Sequence, residues 1–262
     1  MERSDARSDG RGMKQQPIDW HAHLVAHRGE SADYPENTLA AMEAALQAGV
    51  QFLECDIQLS ADQQAMVIHD SRLGRTTSVE EGRVWDYSAQ QLAEIDAAYR
   101  SRFDGKFAGE PIPRLRDLVE MLLEWPDAHV FVELKRASLA HFGIEEMLDA
   151  VLPVVADIDG RYTLISYHDE ALAIAREKYA APIGWVSDNI DVEIIAKARA
   201  LAPDYVITDA ETFSAEHIDG GLNWRWMLFE VNDPERAREW IQRGVSYIET
   251  HRVTNFIDDG LR

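Results

Sequence analysis

The sequence predicts an α/β fold of the (β/α)8 or TIM-barrel type, with a small insertion between the second and third strands. Short apolar runs rich in β-branched residues recur eight times along the barrel portion of the chain. Amphipathic segments of helical period lie between most of these runs. The length of 262 residues is common for one such barrel. A doubly wound open sheet is the alternative, because periodicity alone does not show that a sheet closes.

The predicted strands are short, as parallel strands between helices usually are. They are residues 23–27, 52–57, 130–134, 162–166, 183–187, 205–209, 226–231 and 245–249. The predicted helices are residues 37–49, 114–125, 144–156, 169–180, 192–201 and 234–244. In the first of them, Leu39, Met42 and Leu46 recur at helical spacing and Gly49 is typical of a helix end. Pro234 falls early in the last, where a missing N–H costs nothing.

Residues 58–113 are too long for one crossover between strands and include an extra short strand at 65–69. They are predicted to form the insertion, and long loops of barrels tend to shape the active site. The first 19 residues are charged and contain no apolar run, which predicts a flexible tail. Residues 20–262 are expected to form a single domain.

The composition limits the classes of partner. The formal net charge is −21, from 26 basic and 47 acidic residues, which disfavours nucleic acid and anionic membrane surfaces. No run resembles a secretory signal or reaches transmembrane length, so stable membrane insertion is not expected. The single cysteine, Cys55, excludes an internal disulfide and suits a reducing compartment. A cytoplasmic protein is expected, and no pattern indicates an oligomeric state.

Charged residues occur where a barrel strand should be apolar. Glu54 and Asp56 are two residues apart and share one face of their strand, while Cys55 points the other way as a core residue. Glu133 and Lys135 share a face of the next barrel strand. Three carboxylates close together need a cation, and all-oxygen ligands suit Mg²⁺ or Ca²⁺ rather than zinc.

Two histidines also stand at strand ends. His27 ends the first strand and is followed by Arg28, and His69 ends the inserted strand. A single histidine at a strand end is common and does not indicate a site, but the carboxyl ends of all barrel strands meet at one end of the barrel. Two histidines can act as base and acid near neutral pH. Arg28 and Lys135 can bind phosphate oxygens, so the set indicates metal-assisted cleavage of a phosphodiester.

These residues lie in segments that resemble the glycerophosphodiester phosphodiesterase family. The segments "AHRGE", "YPENTLAAMEAALQAG" and "FLECDIQLSADQQAMVIHDSRLGRTT" are similar to the opening of that family. "GEPIPRLRDLVEML", "VFVELKR", "LISYHDEAL" and "FEVND" resemble its later segments. The similarity runs from about residue 23 to about residue 250. The order and spacing of His-Arg-Gly, Pro-Glu-Asn-Thr, Glu-x-Asp and His-Asp are highly specific together.

The resemblance implies a barrel enzyme that hydrolyses glycerophosphodiesters to sn-glycerol 3-phosphate and an alcohol. By matching position it implies an acid–base pair of His27 and His69, metal ligands Glu54, Asp56 and Glu133, and phosphate contacts from Arg28 and Lys135. The roles of Glu36 and Asn37, in the Pro-Glu-Asn-Thr motif, stay open. Gly29 is expected to let the backbone approach the ligand.

The chain departs from the family pattern at two strand ends. The family usually has Trp-Thr-Val-Asn near strand seven, where this chain has "FEVN" at 229–232. Phe229 is expected to bind a glycerol-like group through its apolar ring. Glu230 faces either the outer helices and solvent or the site. The end of strand eight has Glu249-Thr250-His251 instead of the usual Thr-Asp and nearby Pro, which affects substrate specificity.

Two other functions remain as alternatives to this one. The same residues could cleave a lysophospholipid or another phosphodiester, or the barrel could bind a ligand without catalysis. A nucleophilic pair of Ser166 and His168 lacks a supporting motif, so both are interpreted as ordinary strand-end residues, with His168 a minor candidate for contact with the substrate.

Overall fold

The computed structural model describes residues 18–218 and 223–260, and the side chains of 258–260 are not described. The predicted tail, residues 1–19, lies almost entirely outside the described residues. Within them, every helix is too short or too polar to cross a lipid bilayer.

The predicted barrel is confirmed. The described strands are β1 (Leu24–His27), β2 (Phe52–Leu59), β3 (Ala65–Val67), β4 (His129–Leu134), β5 (Tyr162–Ser166), β6 (Ile183–Ser187), β7 (Tyr205–Asp209), β8 (Arg225–Phe229) and β9 (Tyr247–Thr250). Eight of them are parallel and follow one another around the barrel, and β3 is the extra strand. β1 pairs with both β2 and β9, so the sheet closes and the open-sheet alternative is wrong.

Helices connect the strands on the outside. They are α1 (Leu39–Gln47), α2 (Ala89–Ala93), α3 (Arg100–Phe103), α4 (Leu115–Leu123), α5 (Arg136–Phe142), α6 (Ile144–Val155), α7 (Asp169–Tyr179), α8 (Val192–Leu201), α9 (Pro234–Gln242) and α10 (Val253–Gly260). The six predicted helices are confirmed. The sequence did not predict α2, α3, α5 and α10, which span eight residues or fewer.

Successive side chains of each strand point alternately outward and inward, which produces two apolar layers. Leu24 and Ala26 pack outward against the helices, whereas Val25 points into the barrel with Phe131 and six other buried side chains. Burying one such side chain contributes roughly 1.5–3 kcal/mol. Two residues after Val25 on β1 and Phe131 on β4, the same inward face carries His27 and Glu133, respectively. The barrel is therefore filled by apolar residues up to the level where the charged ones begin.

The predicted insertion is confirmed between β2 and β4. Its strand β3 runs antiparallel to β2, with Ile57 opposite Val67. Val67 packs into the outer layer of the barrel, whereas Met66 and Ile68 face a separate apolar cluster. We call this cluster the insertion core; its buried members are Met66, Ile68, Leu73, Val84, Ala89, Leu92, Ala97 and Ile112.

Candidate active site

The carboxyl ends of the parallel strands open into a cavity of about 450 Å³. The cavity is lined by six of the residues predicted for the site: His27, Arg28, His69, Glu133, Lys135 and Phe229. Glu54 and Asp56 are buried next to it, with relative exposures of 1% and 0%. The predicted site residues therefore come together at one end of the barrel.

The three predicted metal ligands form a compact cluster. One carboxylate oxygen each from Glu54, Asp56 and Glu133 lies within 4.8 Å of the others. Asp56 and Glu133 are direct neighbours across β2 and β4. Glu54 Oε1 is buried without a hydrogen-bond partner among the described residues. Burial, followed by the charge of Asp56, raises the pKa of both Glu54 and Glu133. This cluster has the donors and the excess of negative charge that a divalent cation would satisfy.

Asp56 is the most strongly bound of the three carboxylates. Its oxygens lie 3.0 Å from Arg28 Nε and 3.1 Å from Lys135 Nζ. Burial alone would raise the pKa of Asp56, but Arg28 and Lys135 outweigh it and hold the pKa below its ordinary value. Lys135 Nζ also lies 2.9 Å from Glu133 Oε1. One ammonium group therefore contacts two of the three carboxylates.

The Pro-Glu-Asn-Thr motif holds these charged groups in place. Glu36 Oε1 accepts a hydrogen bond of 2.9 Å from Arg28, and both Glu36 oxygens accept from Arg75. Asn37 bonds to the carboxylate and to the backbone N–H of Asp56. Arg28 and Asn37 adopt left-handed backbone conformations, with φ of 58° and 60°. Such conformations are costly outside glycine and are found where a site requires them.

His27 is buried beside two carboxylates. Its Nε2 lies 3.9 Å from Glu54 Oε2 and 4.0 Å from Glu249 Oε1. Its ring stacks on that of His251 with centroids 4.4 Å apart. Burial, followed by the positive charge of Arg28, lowers the pKa of His27 well below its ordinary value. His27 is therefore neutral near pH 7, which is the form that accepts a proton.

His69 reaches the cavity from the insertion and is more exposed than His27. Its Nδ1 lies 2.6 Å from Asp70 Oδ1, and the other oxygen of Asp70 is held by Arg75 Nε at 2.5 Å. A hydrogen bond at Nδ1 fixes the tautomer of the ring. It leaves Nε2 as the nitrogen available to a substrate.

The sequence interpretation missed two site residues at the end of β9. Glu249 lines the cavity, and burial, followed by the charge of Glu133, raises its pKa to about 8. His251 packs on His27, and burial, followed by Arg28, lowers its pKa to about 4. The sequence did contain a signal for Glu249, because this carboxylate lies at the end of a barrel strand just as Glu133 does. It was interpreted only as a change in specificity.

The two residues at the end of β8 lie at the cavity. Phe229 packs against the inner apolar cluster and lines the cavity. Glu230 is exposed and also lines the cavity, with a left-handed φ of 60°. Glu230 therefore meets both solvent and the cavity, and its role in the site stays a prediction.

Three residues have structural roles. Cys55 is buried in the outer apolar layer. Ser166 donates its hydroxyl proton to Leu134 O, and His168 Nδ1 accepts from the backbone N–H of Ala171 at the start of α7. Neither Ser166 nor His168 lines the cavity. The interpretation of all three as ordinary packing or strand-end residues agrees with these contacts.

The structure gives Gly29 a packing role, and its expected role in the approach of a ligand stays a prediction. Gly29 has a φ of +81°, and a Cβ built on it would lie 2.5 Å from the backbone carbon of Ala41 in α1. The missing side chain therefore lets α1 pack directly against the end of β1.

Sequence comparison gives one family match and several related proteins. The Glycerophosphoryl diester phosphodiesterase family matches residues 27–218. A Mycobacterium tuberculosis protein named probable glycerophosphodiester phosphodiesterase 1 is 36% identical, over 92% of this chain and 94% of the relative. A glycerophosphodiester phosphodiesterase of Caldanaerobacter subterraneus is 40% identical over 48% of this chain. This chain spans 50% of that relative and 60% of a Bacillus altitudinis relative of the same name.

Solved structures with the same fold include two phosphodiesterases. An Oleispira antarctica phosphodiesterase, in complex with the product sn-glycerol-3-phosphate, superposes with a TM-score of 0.82 at 23% identity, over 91% of this chain and 96% of the other. A glycerophosphodiester phosphodiesterase of Agrobacterium tumefaciens gives a TM-score of 0.68 at 24% identity, over 90% and 99%. These likenesses support the barrel fold. The family match over 27–218, together with the Mycobacterium tuberculosis relative, shows that the chain belongs to the glycerophosphoryl diester phosphodiesterase family.

Proposed function

We propose that the protein hydrolyses glycerophosphodiesters to sn-glycerol 3-phosphate and an alcohol in a reaction that depends on a divalent cation. The observation that carries this proposal is the content of one cavity. It joins a buried cluster of three carboxylates, two histidines and two cationic side chains at the end of the barrel. Family membership adds the class of substrate.

Glu54, Asp56 and Glu133 are the residues proposed to hold the cation. Their donors are all oxygens, which favours Mg²⁺ or Ca²⁺. When bound, such an ion supplies positive charge that stabilises the negative charge developing on phosphate oxygens. The orphaned Glu54 Oε1 is the donor atom that supports this assignment most directly.

Arg28 and Lys135 are proposed to bind the phosphate. Both line the cavity, and both are positioned by ion pairs with Asp56. Glu36 provides a second ion pair with Arg28, through the terminal nitrogen Nη1. A guanidinium held at two points loses little freedom when it binds a charged phosphate, which favours transition-state stabilisation.

His27 and His69 are proposed to divide the proton transfers. The lowered pKa of His27 keeps it neutral, so it can remove the proton from the attacking oxygen. His69 in its imidazolium form, with a proton on each ring nitrogen, donates the Nε2 proton to the departing alkoxide, while the Nδ1 proton stays in the hydrogen bond to Asp70 Oδ1. The two groups come from different elements and face the same cavity.

The apolar part of the cavity is proposed to bind the organic groups of the substrate. Phe229 lies there with Ile165, Val186 and Ile207. These side chains are apolar, in contrast to the charged residues of β1, β2 and β4. We also propose a cytoplasmic location, because the one cysteine of the chain is a buried free thiol. The acidic composition makes small molecules, rather than nucleic acid, the proposed partners.

Turnover of a substrate panel tests this function. Metal-stripped protein is assayed on glycerophosphocholine, glycerophosphoethanolamine, glycerophosphoglycerol and lysophosphatidylcholine, with release of glycerol 3-phosphate as the readout. We expect no turnover without metal and recovery with Mg²⁺ or Ca²⁺. Asp56→Asn should require much more metal, since it removes charge while nearly keeping shape. Full activity with no bound metal would contradict the cation assignment, and activity on the lysophospholipid alone would contradict the substrate class.

A further inference from the structure

Glu249 is a buried carboxylate that the reaction described above does not use. Its side chain is 5% exposed and belongs to the end of β9. The nearest ionisable nitrogen among the described residues is His27 Nε2, at 4.0 Å from Glu249 Oε1, which is beyond hydrogen-bond range. A buried carboxylate without a close cationic partner is costly, and a bound cation would remove that cost.

His27 and Glu54 complete a group around this carboxylate. His27 Nε2 lies 3.9 Å from Glu54 Oε2, and one ligand atom from each of His27, Glu54 and Glu249 lies within 4.8 Å of the others. All three residues are buried, and Glu54 Oε1 has no hydrogen-bond partner among the described residues. The oxygen that faces His27, Glu54 Oε2, accepts a hydrogen bond of 3.1 Å from the backbone N–H of Arg28. The unpartnered Oε1 belongs to the residue that this group shares with the carboxylate cluster.

We propose that His27, Glu54 and Glu249 form a second cation site, which binds Zn²⁺ or a similar transition-metal ion. The site shares Glu54 with the carboxylate cluster, so Glu54 would lie between the two ions. Its donors differ from those of the first site, because one imidazole nitrogen joins two carboxylates. Nitrogen–oxygen sets of three protein ligands suit zinc, whereas Mg²⁺ and Ca²⁺ prefer oxygen alone.

The distances are compatible with such an ion. With zinc bonds of about 2.0–2.2 Å, two ligands of a tetrahedral ion lie roughly 3.4 Å apart. The separations of 3.9 Å and 4.0 Å from His27 Nε2 would shorten by about half an ångström on binding. Side-chain rotations of Glu54 and Glu249 can supply movements of that size.

Zinc at this site would inhibit the reaction, and this part of the inference rests on the proposed function. An ion on Nε2 occupies the lone pair with which His27 accepts a proton. The other ring nitrogen, Nδ1, is buried and has no hydrogen-bond partner among the described residues. His27 therefore has no second nitrogen that a substrate can reach.

Zinc binding is measured directly, on protein whose carboxylate cluster is saturated with Mg²⁺. Equilibrium dialysis with elemental analysis compares wild type, Glu249→Gln and the control Glu230→Gln, which changes an exposed carboxylate of the same cavity. We expect Glu249→Gln to weaken zinc binding about tenfold or more, because even groups that only support metal ligands contribute about 10- to 100-fold. Glu230→Gln should bind zinc as wild type does. In wild type, zinc should also shift the ¹⁵N resonance of His27 Nε2, a readout that needs no variant.

Equal zinc affinity in wild type and Glu249→Gln, or an unchanged His27 resonance at saturating zinc, would overturn the site. Turnover in Mg²⁺ is then titrated with zinc, each protein relative to its own zinc-free rate. We expect inhibition of wild type and at least about tenfold more zinc for Glu249→Gln. Zinc binding without inhibition would refute the inhibitory role. Wild-type protein that binds zinc through Glu249 but cleaves no glycerophosphodiester would refute the proposed function and leave the site intact.

Discussion

Asn37 and Asp56 hold each other through two reciprocal hydrogen bonds. Asn37 Nδ2 donates to Asp56 Oδ2 at 2.7 Å, and the backbone N–H of Asp56 donates to Asn37 Oδ1 at 3.1 Å. Both residues are buried. The amide thus fixes the orientation of a proposed metal ligand from outside the cluster, as supporting groups of metal sites commonly do.

Replacing Asn37 by glycine should weaken metal binding by about 10- to 100-fold, because Asp56 loses both hydrogen bonds. Glycine accepts the left-handed φ of 60°, so the backbone conformation is not penalised. Gln63→Gly is the matched control, because Gln63 has a φ of 55° on the exposed surface. Isothermal titration with Mg²⁺ or Ca²⁺ measures the affinity, and equal loss in both variants would contradict the role of Asn37.

Arg28→Ala should lower kcat/KM for a glycerophosphodiester by about 10²–10³, the range for losing one preorganised donor to a developing charge. The kcat/KM of Arg28→Lys should lie between those of wild type and Arg28→Ala, because lysine keeps the positive charge but lacks the planar guanidinium group. Arg136→Ala, which removes another cationic residue lining the cavity, should cost less. Steady-state kinetics of the three variants decide this, and near wild-type values for Arg28→Ala would exclude it from phosphate binding.

His27→Ala and His69→Ala should each lower the rate by about 10²–10⁴, the usual contribution of a general base or acid. A nitrophenyl diester, whose leaving group needs no proton, should restore much of the rate to His69→Ala and none to His27→Ala. His168→Ala is the control, because His168 caps α7 and does not line the cavity. If both variants respond equally to the leaving group, the assignment of base and acid is wrong.

The stability of metal-free protein should depend on pH through Glu249. Its pKa of about 8 in the folded state exceeds the ordinary value near 4.5, so the folded protein binds the proton more tightly. The contribution of Glu249 protonation to the free energy of unfolding is complete below pH 4.5. It is lost as the pH rises towards 8, by up to about 1.4 kcal/mol per pH unit. Glu249→Gln, which stays neutral, should therefore gain stability relative to wild type between pH 5 and 8. Denaturant unfolding at several pH values measures it, with Glu230→Gln as the control that should show no such trend.

Gly29→Ala should destabilise the fold by roughly 3 kcal/mol or more, since its Cβ would meet the backbone of Ala41 and its φ of +81° disfavours alanine. Gly105→Ala separates the two effects. Gly105 has a similar φ of +75° but no atom within 4 Å of an added Cβ, so only about 1 kcal/mol should be lost. Chemical denaturation of both variants measures the difference, and equal losses would contradict the packing explanation.

The succession of strands along the chain and the charged residues at the strand ends could be predicted from the sequence, because both are local patterns. Glu54, Asp56 and Glu133 interrupt apolar strands at positions where a barrel core has no use for charge. The short helix α5 could not be predicted, because seven residues span only two turns and show little periodicity. It is stabilised by packing and not by its own pattern.

Contacts across the closure of the barrel could not be predicted from spacing. His27 and His251 stack although 224 positions separate them, because β1 pairs with β9. The surroundings of Gly29 were missed for a similar reason. A sequence can show that a position requires glycine, but the atoms opposite it are set by how α1 packs.

The division of the apolar residues into a barrel and an insertion core gives the protein two levels of stability. His69 follows Ile68, a member of the insertion core, whereas His27 belongs to the barrel. Small cores with few buried side chains open at lower free energy than the domain that carries them. Local unfolding of the insertion would remove His69 while the eight parallel strands remain paired. Catalysis would then cease in mild denaturant or heat before circular dichroism records any loss of the barrel, and it would return on dilution or cooling without global refolding.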